Sequence, residues 1–169
     1  MYEIETERTV LRMPTIDDLD ALAAIFGNPQ VMKYLEADCQ PLPREQTELA
    51  LVSIINHWKK NGFGRWAVIF KENNKFIGLA GFRGHEDIAE LFYVLDELYW
   101  GKGLATEIAR DILKAGFERH DFPRIIAMTR PTNTASRKVL DKIGMRFEKE
   151  LDVYGVWAVQ YVIAKEDFQ

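Results

Sequence analysis

Gly101-Lys102-Gly103-Leu104-Ala105 lies between a run of strand-forming residues that ends at Leu95 and an amphipathic stretch that begins near Thr106. A strand, a glycine turn and a helix N-terminus in that order build an anion site. Glycine lets the backbone approach a ligand with no Cβ in the way, and the first N–H groups of a helix point outward with partial positive charge. The turn therefore predicts a bound phosphate, with a plain tight connection as the alternative reading. Two nucleotide motifs do not fit it. The dinucleotide fingerprint Gly-x-Gly-x-x-Gly calls for a small residue where Thr106 stands, and the strands before the turn read as antiparallel, unlike a βαβ unit. The P-loop calls for Gly-Lys-Ser/Thr, and Lys102 is followed by Gly103.

Downstream of the turn, Ala105, Ile108, Ala109, Ile112, Leu113, Gly116 and Phe117 form one face of a helix. Glu107, Arg110, Asp111, Lys114 and Glu118 form its polar face. Residues 124–129 read as a strand, 133–143 as a helix ended by Gly144, and 145–151 with 156–164 as a strand pair around Gly155. Upstream, 9–13 reads as a strand. Thr15, Asp17 and Asp18 cap a helix with apolar positions Leu19, Leu22, Ala23, Ile25 and Phe26, stopped at Gly27. A short helix over 29–35 follows. Pro41 and Pro43 interrupt the chain before a helix over 44–60, whose expected stripe is Leu49, Val52, Ile55 and Trp58, with Gly62 past its end. Residues 66–70 and 76–82 form a hairpin about Glu72-Asn73-Asn74-Lys75, and 89–95 is a third strand. This order predicts an α/β fold, a mixed, mostly antiparallel twisted sheet flanked by helices. No repeat or linker divides residues 1–169, so one domain is expected.

A chain of 169 residues that is 47% hydrophobic can bury a core without disulfides or metals. Its formal charge of -4, with Lys and Arg interspersed among Asp and Glu, argues against nucleic acid as a partner. The single Cys39 has no internal partner, points to a reducing compartment and reads as a loop thiol. No apolar run approaches the roughly 18 residues of a membrane span. The first ten residues lack the apolar run of a signal peptide, and the expectation is a cytoplasmic protein with no membrane partner and no metal.

A second constellation, Asn133-x-x-Ser136-x-x-Val139-Leu140-x-x-x-Gly144-Met145, also opens a helix. Taken with the glycine turn, it resembles the GNAT family of N-acetyltransferases, and within it the RimJ/RimL-like branch, named for the enzymes that acetylate ribosomal-protein N-termini. Three further segments are similar to that branch: Glu7-Arg8-Thr9-Val10-Leu11-Arg12, Asn28-Pro29-Gln30-Val31-Met32-Lys33-Tyr34-Leu35, and Tyr99-Trp100 leading through the turn to Thr106-Glu107. The resemblance covers nearly the whole chain and implies a GNAT-like fold with acetyl-CoA as co-substrate.

It also implies a set of site residues. The pyrophosphate accepts N–H bonds from Gly101, Lys102, Gly103, Leu104, Ala105 and Thr106, where the helix dipole adds about 0.3–1 kcal/mol. The pantetheine arm pairs with Tyr93, Val94 and Leu95 as an added strand does. The thioester carbonyl rests by the N–H of Val94 or Leu95, an oxyanion donor. Asn133 holds the cofactor arm and, as a residue type, also suits a helix cap. The sequence departs from the pattern at Trp100, in place of Gln or Arg, which reads as a packing variant. Leu140 replaces a Tyr that protonates the leaving thiolate, and the branch implies Ser136 as donor instead. A serine inside a helix otherwise reads as a back-bonded or solvated hydroxyl. Met128 stands where a sister branch carries Glu. The acceptor amine must lose a proton before attack, and Glu90 is the candidate base; its alternative reading is an ordinary strand-end carboxylate. His85, Glu86, Asp87, Asp152 and Tyr154 fall on the acceptor side, and a water chain is the alternative to any one base. The implied reaction is direct attack of a primary amine, a protein N-terminus or a small molecule, on acetyl-CoA. A CoA-binding sensor or interaction module without catalysis is the rival reading. The last hairpin offers a face for pairing with a second copy, so a homodimer is compatible with the sequence.

Overall fold

The runs expected as strands all pair into one sheet, as their β-branched and aromatic composition favours. The structure, a computed structural model, describes residues 2–35, 37–85 and 88–169, without the His85 side chain; Glu86 and Asp87 lie outside the described residues. The strands are β1 (Ile4–Glu5), β2 (Thr9–Arg12), β3 (Arg65–Phe70), β4 (Lys75–His85), β5 (Ile88–Leu95), β6 (Arg124–Thr129), β7 (Arg146–Val153) and β8 (Val156–Ala164). Their spatial order is β1-β2-β3-β4-β5-β6-β8-β7. Every adjacent pair is antiparallel except β5 with β6, which run parallel. The expected mixed, mostly antiparallel sheet is therefore found, with one added strand: β1 is two residues long, too short to carry a readable alternation. Asn73 and Asn74 form the β3–β4 turn, where Asn73 Oδ1 accepts the Lys75 N–H at 3.0 Å and Asn74 takes a φ of 55°.

Among the described residues five α-helices flank the sheet: α1 (Leu19–Phe26), α2 (Pro29–Met32), α3 (Arg44–Asn61), α4 (Leu104–Arg119) and α5 (Thr134–Lys142). A 3-10 turn, Ile16–Asp18, precedes α1, and Asp18 Oδ2 accepts the Thr15 N–H at 2.8 Å. The α2 helix ends three residues earlier than expected. The stripe on α3 is also displaced: Thr47, Leu51, Ile54 and Trp58 are buried, whereas Leu49 is 71% exposed. Positions 47, 51, 54 and 58 recur at helical spacing, but Thr47 is polar and hides the phase of the face. At the C-terminal end of α3, His57 Nε2 lies 3.0 Å from the Gly84 carbonyl oxygen and ties this helix to the end of β4.

The expected apolar face of α4 packs on the sheet: Ile108, Ala109, Ile112, Leu113, Gly116 and Phe117 are buried, Ala105 is half-buried, and Leu104 joins the buried face. Gly116 permits the close approach. A Cβ there would meet the Phe82 ring at 2.6 Å and Ile125 Cδ1 at 2.9 Å. On the polar face Glu107 and Asp111 are half-buried. Glu107, expected in solvent, has a side chain only 16% exposed and joins α4 to the β1–β2 connection. Its Oε1 accepts from the Thr6 hydroxyl at 2.7 Å and the Arg8 N–H at 2.8 Å, and its Oε2 accepts from Arg8 Nε at 2.7 Å. Arg8 Nη1 continues to the Lys102 carbonyl at 2.8 Å, so the brace reaches the glycine turn.

Burial raises the Glu107 pKa, but the bonds from Thr6 and Arg8 outweigh it and hold the carboxyl below its ordinary 4.5. A depressed carboxyl contributes stability that is complete above the unfolded value and lost as pH falls through the folded one. Glu107→Gln is expected to cost about 1–3 kcal/mol at neutral pH. In thermal melts, the gap between wild type and variant should close as pH drops below 4.5. A gap independent of pH would remove the charge from this account.

Candidate active site

The parallel pair β5–β6 is short. Ala89, Glu90 and Leu91 face Ile125, Ile126 and Ala127, and there the pairing ends. β5 runs on beside β4 as far as Leu95, while β6 runs on beside β8 as far as Thr129, so the two strands part. Which peptide groups line the opening follows from hydrogen-bond alternation. The Asp96 N–H donates to the Ile77 carbonyl at 2.7 Å, so Val94 and Phe92 bond to β4 in turn, and Tyr93 and Leu95 direct their peptide groups the other way. Accordingly, the Leu95 carbonyl accepts from Trp100 Nε1 at 2.9 Å. The Tyr93 N–H and C=O and the Leu95 N–H form the free edge. Of the two oxyanion donors expected from the sequence, Leu95 faces the opening. Val94 does not, because alternation commits its N–H to Leu79; its side chain still lines the cleft.

The glycine turn follows directly. Gly101 and Gly103 take φ values of 70° and 76°, which L side chains rarely adopt. No atom lies within 4 Å of a Cβ built on Gly101, so conformation and not space requires glycine there. Gly103 is the N-cap of α4, and its carbonyl accepts the Glu107 N–H at 3.1 Å as the first helical bond. Leu104, Ala105 and Thr106 consequently have N–H groups without intrahelical acceptors.

Two cavities meet across the parted strands. The first, of about 490 Å³, is lined by every cofactor residue expected from the sequence except Lys102. The Lys102 carbonyl is taken by Arg8 and its ammonium lies over the Tyr99 ring at 5.5 Å. The second cavity, of about 480 Å³, is lined by Arg83, Phe92, Met128, Arg130 and Tyr154 among others. Tyr34, Leu35, Tyr93, Asn133 and Ser136 border both.

Asn133 caps α5, its Oδ1 accepting the Ser136 N–H at 3.2 Å, which fixes the first turn of that helix at the junction. Ser136 Oγ lies 2.8 Å from the Tyr93 hydroxyl, which also donates to the Ser136 carbonyl at 3.2 Å. Burial pushes the Tyr93 pKa up to about 12, opposed by the Ser136 hydrogen bond, so the phenol keeps its proton at neutral pH. Leu140 is packed in the core. Glu90 is buried, pairs with Arg83 Nη2 at 2.7 Å, and is not among the residues lining either cavity; Arg83 is. Ser136 and Glu90 are thus not brought together. Asp152 is spent on the hairpin turn, where its Oδ1 accepts the Gly155 N–H at 2.7 Å, while Tyr154 at that tip reaches the second cavity. The sequence reading missed the Tyr93 side chain and Arg83. The period-two alternation of 89–95 separates Tyr93 from its neighbours, but no local signal reveals that a helix serine stands opposite.

The Acetyltransferase (GNAT) domain family matches residues 8–146. An uncharacterised N-acetyltransferase p20 of Bacillus licheniformis is 32% identical over 154 residues, covering 89% of this chain and 84% of the relative. A GNAT-family acetyltransferase from Bacillus anthracis superposes with a TM-score of 0.84 at 28% identity, over 97% of this chain and 99% of that one. RimL, a ribosomal-protein N-terminal acetyltransferase solved in complex with coenzyme A, superposes with a TM-score of 0.83 over 96% of this chain and 97% of that one; at 19% identity it shows the fold alone. The chain belongs to the GNAT family of acetyl-CoA-dependent N-acetyltransferases.

Proposed function

We propose that acetyl-CoA occupies the first cavity, that a primary amine enters through the second, and that the amine attacks the thioester carbonyl directly. The observation that carries this reading is the meeting of the two cavities at Tyr93 and Ser136. The pyrophosphate lies on the free N–H groups at the start of α4, where backbone donors and the helix dipole act together. The pantetheine arm takes the free edge of β5, with the Leu95 N–H at the thioester oxygen as oxyanion donor. Attack forms the C–N bond, and collapse of the tetrahedral intermediate breaks the C–S bond and releases CoA thiolate. One proton leaves the amine, and one returns to the thiolate.

A CoA thiol, with a pKa of about 8.5 by analogy with cysteine, holds its proton less tightly than Tyr93 at about 12. The Tyr93–Ser136 pair therefore stabilises the departing sulfur by hydrogen bonding, and solvent completes its protonation. This gives Ser136 the donor role that Leu140 has no means to perform. Glu90 is better placed to orient Arg83 than to touch the amine, and water in the second cavity carries the amine proton away. The acceptor is a protein N-terminus or a small primary amine. A CoA-binding module without catalysis draws support from Leu140 and from the engagement of Glu90 with Arg83.

Acetyl-CoA incubated with a panel of N-terminal peptides and small amines should yield products heavier by one acetyl group in mass spectra. Binding of CoA with no product from any amine would favour the module. A hydrogen bond to a charged group contributes about 1.5–3 kcal/mol, so Ser136→Ala should lower kcat about 10- to 150-fold with KM for acetyl-CoA little changed. Tyr93→Phe should cost less, several-fold, because it removes only the support. An unaltered kcat in Ser136→Ala would take the serine out of the reaction.

A further inference from the structure

We propose that the acceptor carries a carboxylate in addition to its amine, and that Arg83 binds it. This rests on the second cavity being the acceptor's. A site for a plain alkylammonium or a polyamine is expected to present carboxylates to the cation. Here the charged side chains lining the cavity, among the described residues, are Arg83 and Arg130. Arg83 thus offers an anion a partner that this lining, among the described residues, does not offer a cation.

Arg83 is also held ready for such a group. Glu90, its cross-strand neighbour, bonds Nη2 at 2.7 Å from a side chain 11% exposed, and the Phe92 ring lies 5.0 Å from the guanidinium carbon. Arg83 itself is 42% exposed. A guanidinium has five N–H donors in a planar fork, and one contact to Glu90 leaves others to grip a second carboxylate in a fixed orientation. A conformation already fixed before binding costs the ligand less ordering entropy.

Two kinds of acceptor carry such an acid apart from the amine: a peptide with an acidic side chain next to its N-terminal residue, and a free acidic amino acid with a distal carboxylate.

The test compares isosteres that differ only in charge: Ser-Asp-Ala-amide against Ser-Asn-Ala-amide, and glutamate against glutamine, each with acetyl-CoA. In wild type the acid should exceed its carboxamide in kcat/KM by about tenfold or more in at least one pair, as expected for a charge-assisted bidentate contact. The pair that discriminates identifies the source as peptide or free amino acid. In Arg83→Gln the ratio should fall to near unity, and Arg83→Lys should restore part of it. Thermal melts establish that both variants fold. Equal use of acid and amide by wild type, or a preference that survives Arg83→Gln, overturns the proposal. If no amine is acetylated, the catalytic reading falls, and the N-acetylated peptides are titrated into the CoA complex by calorimetry. Tighter binding of the acid to wild type, but not to Arg83→Gln, then still supports the carboxylate site; equal binding overturns it.

Discussion

Everything in the site depends on β5 and β6 ceasing to pair after Leu91. A strand edge inside a protein carries N–H and C=O groups that cost free energy unless something bonds to them. Here the edge is short and partly claimed, since Trp100 folds back to take the Leu95 carbonyl. What remains, the Tyr93 peptide and the Leu95 N–H, is the length of ladder that an extended ligand can complete. Beside the same parting the two cavities meet at Tyr93 and Ser136. The α4 N-terminus lies beside the edge because only residues 96–103 separate it from β5.

A partly buried polar brace holds the turn in that arrangement. Glu107 and Arg8 are remote in sequence, yet together they connect the first turn of α4, the β1–β2 connection and the Lys102 carbonyl. Gly101 and Gly103 supply the dihedrals, and the brace fixes them. At the opposite border, Asn133 and Ser136 begin α5 with a cap that also places the serine hydroxyl against Tyr93. A phenol from β5 thus meets the first turn of α5.

Much of this was legible in the chain before the fold was known. Strands with clear period-two alternation and helices with strong caps fall within a few residues of their expected bounds, and the residues expected to hold a cofactor line one cavity apart from Lys102. The misses share a cause: they depend on relations between distant segments. The phase of α3 was misread because Thr47 is a buried polar residue on an apolar face. Glu107 looked like a solvated helix residue because its partners lie at Thr6 and Arg8. Val94 and Leu95 were not separable as oxyanion donors, because the register with β4 decides which amide faces outward. Glu90, a candidate base or an ordinary strand-end carboxylate by sequence, is set opposite Arg83 by the same register, which no local signal reveals.

The central claim is that the β5 edge and the start of α4 together hold the cofactor, and backbone amide NMR tests it residue by residue. On titration with CoA or a non-hydrolysable acetyl-CoA analogue, the amides of Tyr93, Leu95, Leu104, Ala105 and Thr106 should shift most and gain protection from exchange, while the Val94 amide, already bonded to β4, changes little. Saturating binding that leaves those amides unmoved, or that shifts Val94 in place of Leu95, would contradict the account.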